Sequence, residues 1–225
     1  MVKLSREFYR RISKIGLKNR WEKEHAKVNL NKKLTKEKVA IHSYLCGDGW
    51  IAIRKSKKAI HYEIRVAPDD AVLAEFIVDL FKKEFNIEPK IEIKKNYFCV
   101  RIKNKPACLS LLSLGPCGTY EWKIPKNLSK NLLVEWIKCF FDCESSVDVK
   151  NKKISLKSVN FQGLLDIQDK LRLFNIDSRV YGPYKQKNEK HTDYGILLIT
   201  GKNIRRYQRL INFHHSGKSK KLEQL

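Results

Sequence analysis

The chain has 225 residues, with 47 Lys and Arg against 24 Asp and Glu, which gives a formal net charge of +23. A hydrophobic content of 42% and four Trp exclude a disordered polycation and predict a folded core. The charge excess is larger than solubility requires, so it favours a polyanionic partner, above all nucleic acid. An unusually lysine-rich solvated surface is the alternative.

The cysteines and the apolar runs exclude several other classes of protein. There is no CxxC pair, and no histidine cluster completes a zinc set. The charged N-terminus predicts that there is no signal peptide, and no apolar run approaches the length of a membrane span. We therefore expect an intracellular protein, in the cytoplasm or nucleoid, with reduced thiols and no membrane partner. The six cysteines are Cys46, Cys99, Cys108, Cys117, Cys139 and Cys143.

The N-terminal segment is strongly basic, because residues 1–38 contain 13 Lys and Arg but only 4 Asp and Glu. Its apolar spacing predicts a short amphipathic helix from near Ser5, with Trp21 anchoring the turn beyond it. We expect residues 1–35 to form an extension that packs on the rest of the protein and adds nucleic-acid contacts. A partly mobile basic arm is the alternative.

The next segment predicts two hairpins, each followed by a helix. WIAIRKSKKAIHYEIRV alternates apolar and polar residues around a lysine-rich turn, as a hairpin does. PDDAVLAEFIVDLFKKEF has apolar residues at helical spacing, with Asp69 or Asp70 placed as the N-cap. NIEPKIEIKKNYFCVRIK then predicts a second hairpin, and KPACLSLLSLG predicts a short helix.

The same order of elements recurs after Glu144, which indicates an internal repeat. SVDVKNKKISLKSV predicts a hairpin, and NFQGLLDIQDKLRLF predicts a helix that Asn160 caps. NIDSRVYGPYKQKNEKHTDYGILLIT predicts another hairpin, and KNIRRYQRLINF predicts a final helix. The tripeptide at residues 85–87, Phe-Asn-Ile, also recurs at residues 174–176, at the same junction from helix to strand.

The predicted strands share one pattern of side chains. Apolar residues such as Ile64 and Val66 alternate with polar or charged ones such as Glu63 and Arg65, and other strands repeat this arrangement. The pattern predicts sheets with helices behind them and a mainly cationic face in front. We interpret this face as a DNA-binding surface, although an ordinary solvated sheet is the alternative. The predicted DNA contacts are Arg54, Lys57, Arg65, Arg101, Lys153, Lys157, Arg179, Tyr181 and Lys218.

Two similar apolar runs end in single acids, SYLCGDGW at Asp48 and CFFDCESS at Glu144. Small residues lie five and one positions before each acid, and this spacing lets two helices pack backbone to backbone. Such packing would bring Asp48 and Glu144 side by side at the helix ends, where their charges repel. A divalent cation relieves that repulsion, and oxygen-only ligands suit Mg²⁺, with Mn²⁺ as a substitute. A metal ion held against a DNA-binding face predicts that the protein hydrolyses phosphodiester bonds.

The chain resembles the monomeric LAGLIDADG homing endonucleases, enzymes of introns and inteins that cut double-stranded DNA. The resemblance rests on IHSYLCGDGWI (41–51) and IKCFFDCESSV (137–147), with support from WKIPKNL (122–128) and FHHSGKSKKL (213–222). It implies an α+β fold of two pseudo-symmetric αββαββα halves, whose antiparallel sheets form a DNA-binding saddle. The implied boundaries are 1–35 for the extension, 36–128 for the first half and 129–225 for the second.

The resemblance also implies the roles of individual residues. Asp48 and Glu144 match the acids that bind the catalytic metals, with Gly47 and Cys143 as further metal ligands. Lys123 is the candidate catalytic lysine of the first half, and Lys218 and Lys220 are those of the second half, with Lys220 preferred.

The chain departs from the family pattern at Ser43, Cys139 and Ser145, where glycine is preferred. If residue 145 required a positive φ, Ser145 would strain the backbone. These departures keep a second hypothesis open beside the endonuclease. It is a binding protein that does not cleave, either an RNA maturase or a DNA-binding regulator.

Overall fold

The structure is a computed structural model that describes residues 28, 30, 33–57, 59–185 and 192–225. Within these residues the chain folds as two successive αββαββα halves followed by one further short helix. This order confirms the predicted α+β class and the internal repeat. The further helix, Ser216–Leu222, was not predicted, and KNIRRYQRLINF is therefore not the final helix. Its sequence, SGKSKKL, has a single apolar side chain and so gives no helical periodicity.

The first half begins with a helix capped by Thr35, whose hydroxyl accepts a hydrogen bond from the Lys38 amide at 3.1 Å. Asp70, rather than Asp69, caps the next helix by accepting from the Leu73 amide at 2.9 Å. The elements of this half are α1 (Lys36–Cys46), β1 (Gly49–Lys55), β2 (Ile60–Val66), α2 (Ala71–Phe85), β3 (Lys90–Ile93), β4 (Phe98–Ile102) and α3 (Lys105–Leu112).

The second half repeats this order. Asn160 caps its second helix, as predicted, by accepting from the Gly163 amide at 3.0 Å. The elements are α4 (Lys130–Glu144), β5 (Ser145–Asp148), β6 (Lys153–Ser158), α5 (Phe161–Arg172), β7 (Arg179–Tyr184), β8 (Tyr194–Thr200), α6 (Lys202–Leu210) and the additional α7 (Ser216–Leu222).

Each half contains one four-stranded antiparallel sheet, with strand order β1-β2-β4-β3 in the first and β5-β6-β8-β7 in the second. Alternate residues of the central strands are buried in the core, for example Ile64 and Val66 in β2 and Ile154 and Leu156 in β6. The residues between them lie on the opposite surface. The predicted alternation is therefore present in both sheets.

The recurring Phe-Asn-Ile tripeptide has a conformational explanation. Asn86 and Asn175 both adopt the left-handed backbone region, with φ of 54° and 56°, where each follows the helix that packs behind its sheet. Asparagine tolerates this conformation better than most side chains, and it turns the chain out of the helix. The preceding Phe85 and Phe174 are buried in the core. The tripeptide therefore ends a helix in the same way in both halves.

Several predictions concern parts of the chain that the structure does not test. Most of the basic extension 1–35, including the helix from Ser5 and the anchor Trp21, lies outside the described residues. The domain boundaries at 35/36 and 128/129 stay predictions. All six cysteines are free thiols. No helix in the described part of the chain is long and apolar enough to cross a membrane.

Candidate active site at the ends of two packed helices

The helices that open the two halves, α1 and α4, pack directly on each other. A Cβ atom added to Gly47 would lie only 2.4 Å from Cys143 Cβ and 2.9 Å from Cys143 Sγ. One turn earlier, the buried hydroxyl of Ser43 donates to the Trp136 carbonyl at 2.6 Å. The predicted backbone-to-backbone approach at small residues is therefore present, and Cys139 is fully buried in α4.

A buried histidine fixes the rotation of these two helices. The indole N–H of Trp136 donates to His42 Nδ1 at 3.2 Å, so the imidazole proton is on Nε2, which contacts the Gly115 carbonyl at 3.3 Å. Burial lowers the pKa of His42 to about 4, although the Gly115 carbonyl opposes that fall. His42 therefore joins α1, α4 and the loop after α3 as a neutral ring.

Asp142 joins α4 to α1 and to the C-terminal segment. Its Oδ2 accepts from the Tyr44 hydroxyl at 2.9 Å, and its Oδ1 accepts from the amides of His214 and His215, both at 3.0 Å. The carboxylate is 2% exposed, so these bonds are shielded from water and hold the segment before α7 against α4. No local sequence pattern indicates this role, because the partners of Asp142 are distant along the chain.

The packed helices bring Asp48 and Glu144 to one site. Asp48 follows the end of α1, and Glu144 is the last residue of α4. Burial, and then the charge of Asp48, raise the pKa of Glu144 from 4.5 to about 7, although Lys218 opposes the rise. Burial also raises the pKa of Asp48, and a hydrogen bond from Cys143 and the charge of Lys218 offset part of this. The two acids are therefore electrostatically coupled.

Lys218, in the unpredicted helix α7, lies at the same helix end. Its ammonium donates to the carbonyls of Phe141 and Cys143, both at 3.3 Å, and to that of Asp142. A cation at a helix C-terminus satisfies carbonyls that have no helical partner and offsets the negative end of the helix dipole. Burial lowers the pKa of Lys218, although the surrounding thiol and carboxylates oppose this. Its charge acts on both Asp48 and Glu144.

His215 fastens α7 to the first half and thereby positions Lys218. His215 Nδ1 accepts from the amide of Gly217 at 3.1 Å, so the proton is on Nε2, which lies 3.3 Å from Asp69 Oδ1. The neighbouring Ser216 hydroxyl donates to Asp70 Oδ2 at 2.7 Å. The loop before α2 therefore holds the N-terminus of a second-half helix, and the site is built from both halves.

The other predicted site residues are placed less centrally. Lys123 is exposed in the loop between α3 and α4, and Lys220 is exposed on α7, so their catalytic roles stay predictions. The backbone of Gly47 lies at the helix contact, and the Cys143 carbonyl accepts from Lys218. Their role as metal ligands also stays a prediction. Lys218 was predicted as a DNA contact and as a catalytic candidate, and the structure favours it over Lys220 as the lysine beside the acids.

Ser145 does not strain the backbone. Its φ of −100° and ψ of 160° are ordinary extended values, and its hydroxyl donates to the Phe141 carbonyl at 2.6 Å. The conformation of Ser145 therefore does not support the strain expected if a glycine were required at this position. Ser145 begins β5 directly after Glu144, which links the acid to the second sheet.

The outer surfaces of both sheets start beside the acids, since β1 begins one residue after Asp48 and β5 one residue after Glu144. We call these surfaces the first face and the second face. The first face consists of Trp50, Ala52, Arg54, His61, Glu63, Arg65, Lys90, Glu92, Cys99 and Arg101, and the second of Ser146, Asp148, Lys153, Ser155, Lys157, Arg179, Tyr181, Tyr184, Tyr194, Ile196, Leu198 and Thr200. Among the predicted DNA contacts, Arg54, Arg65, Arg101, Lys153, Lys157, Arg179 and Tyr181 lie on these faces; Lys57 lies in the turn after β1, and Lys218 is at the helix ends.

The donor set at the helix ends fits a divalent cation. Two coupled carboxylates with raised pKa values gain stability when a cation neutralises them. Both supply oxygen ligands, which Mg²⁺ and Mn²⁺ accept. Asp48 and Glu144 can therefore hold such a cation beside the beginnings of both faces.

Comparison with known proteins agrees with this architecture. Residues 131–212 match the family model of the LAGLIDADG-like domain. The chain is 26% identical over 168 residues, 71% of its length, to the probable translation initiation factor IF-2 of Methanocaldococcus jannaschii. The match spans only 14% of that relative.

Solved structures resemble the whole two-half arrangement. I-DmoI in complex with DNA and Mn has a TM-score of 0.59 at 15% identity, covering 78% of this chain and 96% of that one. I-WcaI bound to its DNA recognition sequence has a TM-score of 0.54 at 16% identity, covering 92% of both chains. The N-terminal LAGLIDADG domain of DUF199/WhiA has a TM-score of 0.55 at 12% identity, covering 79% of this chain and 82% of that one. At these identities the likeness shows a shared fold.

Proposed function

We propose that this chain, which carries a LAGLIDADG-like domain on the two-half LAGLIDADG fold, is a site-specific, metal-dependent endonuclease of double-stranded DNA. The observation that carries the proposal is the coupling of Asp48 and Glu144, which end two helices in direct contact. A protein with a net charge of +23 has no structural need for two repelling carboxylates at one partly buried point. The binding of a cation between the two acids, next to a DNA-binding surface, gives a reason for this arrangement.

Asp48 and Glu144 are the residues that we expect to hold the cation, Mg²⁺ or Mn²⁺. When bound, the cation supplies activation of the attacking water and stabilisation of charge on the phosphate and the leaving oxygen. Glu144 must be ionised to bind it, and the pKa of Glu144 is about 7. Cation affinity should therefore rise with pH around neutrality, because fewer protons compete for the carboxylate.

Lys218 is the residue that we expect to counter negative charge at this site. Its ammonium lies on the last carbonyls of α4, where its charge already acts on both acids. A phosphate bound between the acids and the two faces would meet this cation at short range, and electrostatic stabilisation is strong where water is excluded. Because Lys218 also caps α4, its loss should affect both cleavage and stability.

The two faces are the surfaces that we expect to bind the duplex. Their lysines and arginines can contact phosphates, and side chains near their centres can reach base edges in the major groove. The neighbours support this assignment, since I-DmoI is described in complex with DNA and I-WcaI bound to its DNA recognition sequence. I-DmoI structures are also described with Mn, Mg or Ca, which supports a divalent cation. We expect the chain to act as a monomer, because it supplies both acids itself, and to act intracellularly, where it meets DNA.

The decisive experiment is Asp48→Asn in the full chain, tested on a duplex that wild-type protein selects from a randomised library. With Mg²⁺ or Mn²⁺ we expect wild type to cut the duplex and leave short 3′ overhangs. Asp48→Asn should abolish cutting and leave binding intact, because it removes a metal ligand without changing the faces. Asp79→Asn, at an exposed acid of α2, is the matched control and should cut normally. Undiminished cutting by Asp48→Asn would overturn the proposed role.

A second candidate function is sequence-specific nucleic-acid binding without cleavage, as an RNA maturase or a DNA-binding regulator. The contact of the Lys218 ammonium with the Cys143 carbonyl, at 3.3 Å, favours it, because this positive charge repels a metal cation at the same oxygen. The N-terminal LAGLIDADG domain of DUF199/WhiA shares the fold. This candidate is supported if the wild-type chain binds selected duplex or intron RNA tightly and never cuts in Mg²⁺ or Mn²⁺.

A further inference from the structure

The two faces differ in chemistry although their backbones repeat. The first face is a network of alternating charges. Glu63 is 7% exposed and lies between two arginines, 2.9 Å from Arg65 and 3.8 Å from Arg101. Glu92 in turn lies 2.9 Å from Arg101 and 3.0 Å from Lys94. The carboxylates therefore hold both guanidinium groups in place across the central strands.

The first face also contains polar atoms whose hydrogen-bonding capacity is unused. Arg65 Nε and Glu63 Oε1 are both buried and have no hydrogen-bond partner among the described residues. The Arg65 guanidinium is further fixed 5.5 Å from the centre of the Trp50 ring. Glu63 Oε1 still has the ion pair with Arg101, but a buried donor without an acceptor is costly, so Arg65 Nε favours a ligand that supplies an acceptor.

The second face has an apolar centre instead. Leu198 and Ile196 occupy the outward positions of β8, a central strand of the sheet, and both are half-buried. They line a groove of about 500 Å³ together with Tyr181 and Tyr184. At the corresponding positions of the first sheet β4 has Arg101 and the buried Cys99, whereas in the described part of the second sheet β8 has Leu198 and Ile196.

The strands beside β8 on one side of the second face, β6 and β5, carry hydroxyl and cationic side chains. Ser146 and Ser155, paired across β5 and β6, share a hydrogen bond of 2.8 Å. The Lys157 ammonium lies 3.7 Å from the centre of the Tyr194 ring, and Lys153 lies 3.6 Å from Asp148 at the sheet edge. The lysines can therefore contact phosphates while the aliphatic centre faces the bases.

Base edges distinguish these two kinds of surface. In the major groove the thymine C5-methyl group is the apolar feature, and guanine offers the paired acceptors that arginine binds best. An aliphatic centre offers no hydrogen bonds to the polar edges of either base pair, so only the thymine methyl group lets it favour A·T. It gains free energy from thymine methyl groups, which it removes from water.

From this contrast we infer that the two halves read half-sites of opposite composition. Leu198 and Ile196 of the second face contact thymine methyl groups of an A·T-rich half-site, and Arg65 and Arg101 of the first face read guanines in the other. The inference rests on the proposed DNA binding and adds the chemistry of the target.

The first test is selection of duplexes from a randomised library by the full wild-type chain. We expect a motif with one thymine-rich half and one half that contains fixed guanines. Arg101→Leu should relax the guanine-containing half alone, and Leu198→Ala should relax the thymine-rich half alone, which assigns each half-site to a face. A motif whose halves have the same composition, or a Leu198→Ala effect on the guanine half, would overturn the inference.

The second test removes the methyl groups one at a time. Replacing thymine by deoxyuridine in the selected duplex deletes only the C5-methyl, so wild type should bind about fourfold more weakly for each methyl that Leu198 or Ile196 buries. Leu198→Ala should abolish part of this penalty, whereas Leu173→Ala, at an exposed leucine beyond α5, should keep all of it. The ratio of two affinities on one protein preparation is independent of its folded fraction, so poor folding of a variant cannot imitate the result.

The outcomes separate this inference from the proposed function. If wild type enriches a motif but binds thymine and uracil duplexes equally, the inference fails and site-specific binding stands. If wild type enriches no sequence at all, the proposed function itself fails. If it enriches and discriminates as expected but never cuts, the half-site inference stands and the second candidate function replaces the endonuclease.

Discussion

Glu144→Gln tests the paired acids without any knowledge of the DNA target. Burial and the charge of Asp48 raise the pKa of Glu144 from 4.5 to about 7. A carboxyl whose pKa is raised on folding contributes full stability below its ordinary pKa and loses it as the pH rises through the folded-state value. At pH 8 the wild-type fold therefore carries an unfavourable charge that the neutral glutamine of the variant does not have.

The magnitude follows from the size of this pKa change. From 4.5 to about 7, at about 1.36 kcal/mol for each pH unit, the ionised Glu144 costs about 3 kcal/mol. Glu144 is partly exposed, so screening reduces this, and we expect Glu144→Gln to raise the free energy of unfolding at pH 8 by about 1–3 kcal/mol. For a chain of this size that is roughly 2–12 °C in Tm. At pH 5 the gain should be below about 1 kcal/mol, since folded wild type is then protonated.

Urea denaturation followed by tryptophan fluorescence, at pH 5 and pH 8 with a chelator present, measures this difference. Adding Mg²⁺ at pH 8 should stabilise wild type more than Glu144→Gln and narrow the gap, because the cation binds the ionised pair. Glu75→Gln, at an exposed acid of α2, is the control and should differ little from wild type at either pH. An equal effect of Glu144→Gln at both pH values, or destabilisation at pH 8, would refute the coupling of the two acids.

Three further predictions concern the framework of the site. Gly47→Ala should destabilise the fold by about 1–3 kcal/mol, since its Cβ would lie 2.4 Å from Cys143 Cβ, and Cys143→Gly should restore stability in the double variant; denaturant unfolding measures both. Lys218→Met should lower the cleavage rate and the stability together, whereas Lys220→Met, at an exposed lysine, should change neither much; a cleavage assay beside a melting curve separates them. Asn86→Gly should be tolerated and Asn86→Val should cost about 1 kcal/mol or more, because residue 86 has a φ of 54°; thermal unfolding shows the order.

The elements that were predictable from the sequence depend on local periodicity. Alternation in β2 and β6, helical spacing in α2 and caps at Asp70 and Asn160 are all encoded within a few residues. The helix pair was predictable because Ser43, Gly47, Cys139 and Cys143 are small at a helical spacing in two places. Repetition made each local signal stronger, since the same pattern occurs in both halves.

The parts that were not predictable depend on contacts between distant residues. Helix α7 forms because His215 caps it and Asp69 and Ser216 tie it to the loop before α2, and none of these contacts has a signature in SGKSKKL. The same holds for Asp142, whose partners are Tyr44 and the backbone of the segment before α7. The charge balance of the first face was missed for this reason too, because Glu63 is buried by its position between two arginines of the folded sheet.

The two halves repeat the acid but not the lysine. Asp48 and Glu144 lie at the ends of equivalent helices, yet Lys218 comes from α7, which has no counterpart among the described elements of the first half, and it caps α4 rather than α1. Lys123, which is nearest to an equivalent in the sequence, is exposed in a loop. The cost of bringing two acids together is therefore offset on both acids by Lys218, which lies on the α4 side. Asp48 has its hydrogen bond from Cys143 in addition, whereas the pKa of Glu144 rises to about 7, so the pair is unequal before any metal or DNA is bound.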